Sequence, residues 1–215
     1  MKHRAVLKPI LVAALAVFLS SCLSTDVSID FRDDGEIGLH TVYTMPKAVW
    51  ELGVFDSTSP ERAIPISARD ARETANLYAD VTLVDHTVRE AGDQVTVQIM
   101  YSVGSAESLA GPAPEVGEHR LEFEPETGFL RIPVNGERVP VDEDQRELIR
   151  EVFRNQQFTL TLSAPGELNT TGPELPDASL TEESDTNTAT WSAPLGSLLL
   201  HEDSAFIEAR WELPQ

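Results

Sequence analysis

The sequence predicts an α+β fold, a curved and mostly antiparallel β-sheet or partial barrel with two helices. Three observations carry that expectation. Apolar and polar residues alternate with period two in several short segments. Most of these segments adjoin one another across Gly- or Asp-bearing turns, as hairpins do. Only two stretches carry apolar residues at helical spacing, and no internal repeat runs through the chain.

The chain opens with Lys2, Arg4 and Lys8 and no acid, followed by the apolar run Ile10 to Leu19. This is the n-region and h-region of a secretory leader. Ten residues are too few for a transmembrane helix, which needs about 20 to cross the hydrocarbon. Leu19-Ser20-Ser21-Cys22 then reads as a lipobox, with small residues for a narrow peptidase cleft and a thiol nucleophilic enough to take diacylglycerol. Residues 1–21 are therefore expected to be removed as a signal peptide, with Leu19, Ser20 and Ser21 as the recognition site and Cys22 as the lipid attachment site. Cys22 is the single cysteine, so lipidation would leave no thiol at risk and no disulfide to brace the fold. Two or three acyl chains, at about 0.8 kcal/mol per buried CH₂, would make such anchoring lasting. Residue 23 is Leu rather than the Asp of inner-membrane retention, which in a host with two membranes points to the outer one.

The first alternation is Val27, Ile29 and Phe31, which resumes after Asp33-Asp34-Gly35 as Ile37, Leu39, Thr41 and Tyr43. A hairpin starting so close to Cys22 leaves almost no tether. A stretch bearing Pro46, Gly53, Pro60 and Pro65 reads as flexible. Ser67 can cap a helix whose face is Ala68, Ala71, Ala75 and Tyr78. A strand around 81–88, a turn at Gly92-Asp93 and the alternation Val95, Val97, Ile99, Tyr101, Val103 make a second hairpin. The segment from Gly104 to Pro114 reads as a short helix or loop. Leu121 and Phe123, the turn Pro125 to Gly128, and Leu130, Ile132 and Val134 make a third hairpin, with Pro133 suggesting a sheet edge.

Asp142 and Gln145 form a capping-box signature for a helix with the stripe Leu148, Ile149, Val152 and Phe153. Its outer face pairs Glu143 with Arg146, Glu147 with Arg150, and Glu151 with Arg154. Phe158, Leu160 and Leu162 alternate as a strand. The acidic, Pro-bearing segment near 168–187 reads as a flexible loop, answered by a strand at Trp191. An apolar run, Leu195 to Leu200, and a final strand through Ile207, Ala209 and Trp211 complete a single α+β domain over 22–215.

Without the leader, 194 residues remain, enough to bury roughly 70% of the unfolded chain's surface. They hold 13 Lys and Arg against 36 Asp and Glu, a formal charge of −23. Such a balance excludes nucleic acid, which needs clustered cations, and argues against docking by charge onto anionic lipid. No Gly-x-Ser-x-Gly elbow or phosphate-cradling glycine motif occurs. His40, His86, His119 and His201 stand apart, without the spacing of a metal site. Asp30 to Gly35 is calcium-like in outline, but places Arg32 and Thr41 where an EF-hand needs ligand oxygens. The expectation is therefore a non-enzymatic domain with no catalytic residues, no cofactor and no metal.

The order of these features resembles the LppM-type lipoproteins of bacterial envelopes. The matching residues are Cys22 leading straight into a strand, the Asp34-Gly35 turn, Leu162-Ser163-Ala164-Pro165-Gly166, Asn169-Thr170-Thr171-Gly172, Thr188-x-Thr190-Trp191 and Pro194-Leu195. The resemblance implies a β-rich domain with helices that binds membrane lipids or glycolipids. The expected protein is thus held in a bacterial cell envelope by lipidated Cys22, outside the cytoplasm. It would bind a lipid or other amphiphile in a cavity between sheet and helices. The alternative is a solid-cored adaptor for another envelope protein, joined through the acidic loop or a sheet edge.

Overall fold

The structure, a computed structural model, describes residues 24–32, 35–51, 66–105, 108, 122–124, 128–133, 142–175, 177–183, 187–201 and 205–212. The expected leader, with Leu19, Ser20, Ser21 and Cys22, lies outside them, as do Asp33-Asp34, the turn residues 125–127 and Val134.

The first alternation folds as expected. Strand β1 (Ser24–Phe31) pairs antiparallel with β2 (Ile37–Pro46), Ile29 facing Leu39 and Phe31 facing Ile37. The second hairpin is β3 (Val81–Ala91) and β4 (Gln94–Val103), with Gly92 supplying the positive φ of its turn. The third is β5 (Glu122–Glu124) with β6 (Phe129–Pro133). Strands β7 (Gln157–Ser163), β8 (Leu168–Thr171), β9 (Ser179–Glu183), β10 (Thr188–Pro194) and β11 (Phe206–Trp211) follow.

These make two sheets. The larger runs β3-β4-β2-β1-β7-β10-β9 and is antiparallel except between β1 and β7; the smaller, β5-β6-β11-β8, is antiparallel throughout. Neither closes into a barrel. The mostly antiparallel α+β architecture expected from the sequence is the one present.

Two layers share the inner face of the large sheet. Helix α2 (Ala68–Asn76) lies over the β3-β4 side, where the Tyr101 hydroxyl donates to the Ala71 carbonyl at 3.3 Å. Ser67 caps it, its Oγ accepting from the Asp70 amide at 3.1 Å. The small sheet covers the other side, its Trp211 ring stacked on Phe31 with centroids 4.7 Å apart. Val95, Val97, Ile99, Leu160, Leu162, Trp191, Ile207 and Ala209 are all buried in one continuous core.

Several segments depart from the sequence-based expectation. Pro46 ends β2 and is followed at once by a short helix, α1 (Lys47–Glu51). The apolar run after Pro194 is another, α4 (Leu195–Leu200). The acidic segment near 168–187 is no plain loop, because it contains β8 and β9. They are tied by Glu182, whose Oε1 accepts from the Thr170 amide and hydroxyl at 2.7 and 2.6 Å. Pro133 ends an inner strand, between β5 and β11, rather than an edge strand. Helix α3 (Glu143–Val152) has its full capping box, but Leu148 of its apolar stripe is 51% exposed rather than buried.

Candidate functional site

The β1 register sets the geometry of one end of the large sheet. Because β7 runs parallel to β1 and both β2 and β10 run antiparallel to their neighbours, four chain positions meet there. They are the start of β1 at Ser24, the start of β7 at Gln157, the end of β2 at Pro46 and the end of β10 at Pro194. Helix α3 delivers the chain to β7 through Phe153 to Gln156, and α4 leaves from Pro194. Both helices therefore sit at the end where β1 begins, at Ser24.

Gln156 joins these pieces. It is 7% exposed; its carbonyl accepts from the Leu195 amide at 2.9 Å, its own amide donates to the Phe153 carbonyl at 3.1 Å, and its Oε1 accepts from the Ser24 hydroxyl at 3.4 Å. Pro194 has a φ of −58°, its natural value, and opens α4 without losing an amide that a helix start would use. Gly196 then lets α4 lie against α3. A Cβ there would stand 3.4 Å from the Cβ of Phe153 and 3.8 Å from the Cα of Arg150, so a larger side chain would wedge the helices apart.

A cleft of about 560 Å³ remains between the two helices. That size is within the range of small-molecule sites. Helix α3 contributes Arg146 and Arg150, followed by Phe153 and Arg154 just past its end, and the α4 side contributes Pro194, Ser197, Leu200 and His201. The arginines repeat every fourth position, which keeps them on one side of the helix. Three of the chain's 16 lysines and arginines thus line one opening. Asp177 adds one carboxylate, held by a left-handed backbone with φ 61°, a conformation Asp tolerates better than most residues. Part of the positive charge is met within α3: Arg150 lies 3.5 Å from Glu143, and Arg154 pairs with Glu151.

Of the three pairings expected from sequence, that between Glu151 and Arg154 is present, whereas Arg150 reaches back to Glu143 rather than to Glu147. Sequence reasoning assigned these arginines to an outer solvent face; α4 converts that face into a wall. Chemically the cleft can hold an anionic group among guanidinium donors, with an apolar portion against Phe153, Pro194 and Leu200. Among the described residues no three His, Cys, Asp or Glu side chains gather as a metal would need, and no helix is long and apolar enough to cross a membrane.

No protein-family model matches the chain, and no curated protein matches it. Among solved structures it is similar to the folded domain of LppM from Mycobacterium tuberculosis, determined by NMR, at 13% sequence identity. That match spans 90% of this chain and 92% of the other with a TM-score of 0.45.

Proposed function

We propose that this protein is a lipid-anchored lipoprotein of a bacterial cell envelope whose domain is a non-enzymatic binding module. Its ligand is an amphiphile with an anionic head, received in the α3-α4 cleft. The observation that carries this reading is the concentration of Arg146, Arg150 and Arg154 beside Phe153 and Leu200 in a chain of formal charge −20, or −23 once residues 1–21 are removed. Bidentate guanidinium donors suit a phosphate or carboxylate, and the apolar wall suits the start of an acyl or other apolar tail. Anchoring rests on the Leu19-Ser20-Ser21-Cys22 lipobox.

Native mass spectrometry with lipid extraction, on protein released from the envelope, tests it. A reproducible anionic adduct, lost from a variant with all three arginines changed to Gln, is expected. A clean apo mass for the unaltered protein overturns the binding reading.

A second reading, the adaptor, has one observation in its favour. Strand β3 is an eleven-residue edge with Val84 and Val88 exposed, and such an edge can accept a strand from another envelope protein.

A further inference from the structure

We propose that the outer edge of β3 is a self-association surface, on which a second copy of this chain lays its own β3 antiparallel and joins two seven-stranded sheets into one. The inference is independent of what the α3-α4 cleft binds.

Strand β3 ends the large sheet: β4 pairs along one side of it, and no described strand lies along the other. Its main-chain donors and acceptors on that side are open to a further strand. The ladder to β4 is irregular between Leu83 and Asp85 and regular from Asp85 to Ala91, so the usable edge is the second half of the strand.

Charges that guard an edge meet like charges, or nothing, when two such edges approach. Here they meet their opposites. Asp85, Thr87 and Arg89 stand opposite Met100, Gln98 and Thr96, on the face of the sheet away from the buried Val95, Val97 and Ile99. When two copies of β3 pair about a two-fold axis through Thr87, Asp85 of each copy faces Arg89 of the other. Two opposite-charge pairs then flank a pair of threonines. Moving the register by two residues in either direction, which keeps both core faces on the same side, takes both charge pairs apart.

The groups concerned are available. Asp85 and Arg89 are exposed. The Asp85 carboxylate accepts from the Thr87 hydroxyl at 2.8 Å, and Arg89 makes no ion pair among the described residues. Glu90, the other acid of this stretch, is already matched by Lys47 of its own chain. On the core face, Val88 is 39% exposed although it stands opposite the fully buried Val97. In the proposed register His86 of the second copy lies opposite Val88 and covers it.

The geometry also suits two chains anchored in one bilayer. From the two-fold axis to β1 is three and a half strand spacings, across β3, β4 and β2. At a typical twist of about 20–25° per strand, each β1 is turned by roughly 80° towards the axis, so both strands begin on the same side of the dimer.

Native mass spectrometry of the full protein, released from detergent, tests the proposal with D85R and R89D. A dimer of the unaltered chain is expected. Either substitution alone puts like charges opposite each other twice and should lower the association constant about tenfold or more. Mixed together, the two variants should form a heterodimer, and D85R/R89D in one chain should restore the homodimer. Amide exchange in β3 should slow as concentration rises, while that in β9, the opposite edge, stays unchanged. A monomer at every concentration overturns the proposal, as does dimerisation of D85R and R89D undiminished or without recovery in the mixture. A bound mass from a different protein in place of the second copy overturns it in favour of the adaptor.

Discussion

Ser24, the first described residue, and Gln156, at the close of a helical segment 132 positions later, share a hydrogen bond of 3.4 Å. Through the Gln156 backbone the contact extends to Phe153 and Leu195, so three chain segments are fixed by one buried residue.

Gln156→Ala removes the side-chain acceptor and leaves polar neighbours with less to bond. The expected loss is about 1–2 kcal/mol, read as a lower urea midpoint at unchanged slope. An unchanged midpoint would mean that the backbone bonds alone hold this corner.

The capping box of α3 has amide-to-side-chain distances of 2.8 and 2.9 Å. Asp142→Ala should cost about 1 kcal/mol, and Asp142→Asn much less. Because α3 rests on α4 and not on the main core, faster hydrogen exchange should appear in α3 and α4 while β4 stays protected.

Gly128 has a φ of 60°, and a Cβ there would lie 2.2 Å from the carbonyl oxygen of Trp211. Gly128→Ala therefore meets both backbone strain and a collision at the residue stacked on Phe31. A loss of about 2–3 kcal/mol and red-shifted tryptophan emission are expected.

The hydroxyl and amide of Thr170 hold the Glu182 carboxyl below its usual range. A depressed folded-state value means that the stabilisation is complete above the ordinary Glu value near 4.5 and is lost as pH falls through the lower, folded one. Urea midpoints measured from neutral pH down through the acid range should show that Glu182→Gln removes part of the acid-dependent loss. Parallel curves for the two proteins would deny the coupling.

Burial raises the Tyr101 phenol to about 12 and pushes Tyr43 above its ordinary value as well. Both favour the proton in the folded protein, so their contribution is whole below the unfolded value of 10 and disappears as pH climbs through the folded ones. Tyrosinate absorbance from these two residues should rise only with unfolding. Ionisation at pH 10 with the far-ultraviolet dichroism intact would contradict their burial.

The sequence made local periodicity legible and long-range assembly much less so. Alternation placed β1, β2, β4 and β11, and Ser67 and Asp142 announced their helices, because period and cap chemistry are written within a few residues. Leu195 to Leu200 hid a helix, since six apolar residues fit either a strand or a helix. Strands β8 and β9 hid among acids and prolines; their reasons for pairing, Trp211 and Trp191, lie elsewhere in the chain. The candidate cleft was half visible. The spacing of Arg146, Arg150 and Arg154 was there to see, but Pro194, Gly196 and Leu200, which turn an exposed face into a wall, arrive about forty residues later.

The parallel pairing of β1 with β7 has a mechanical consequence. Strand β1, which follows the proposed anchor, is the middle one of seven, bonded to β2 on one side and to β7 on the other. Tension applied along β1 from its N-terminal end acts in shear across two ladders at once, rather than peeling bonds one by one from an edge. Pulled from Ser24, the domain should resist extraction better than when pulled from β11, which sits in a four-stranded sheet with much shorter partners.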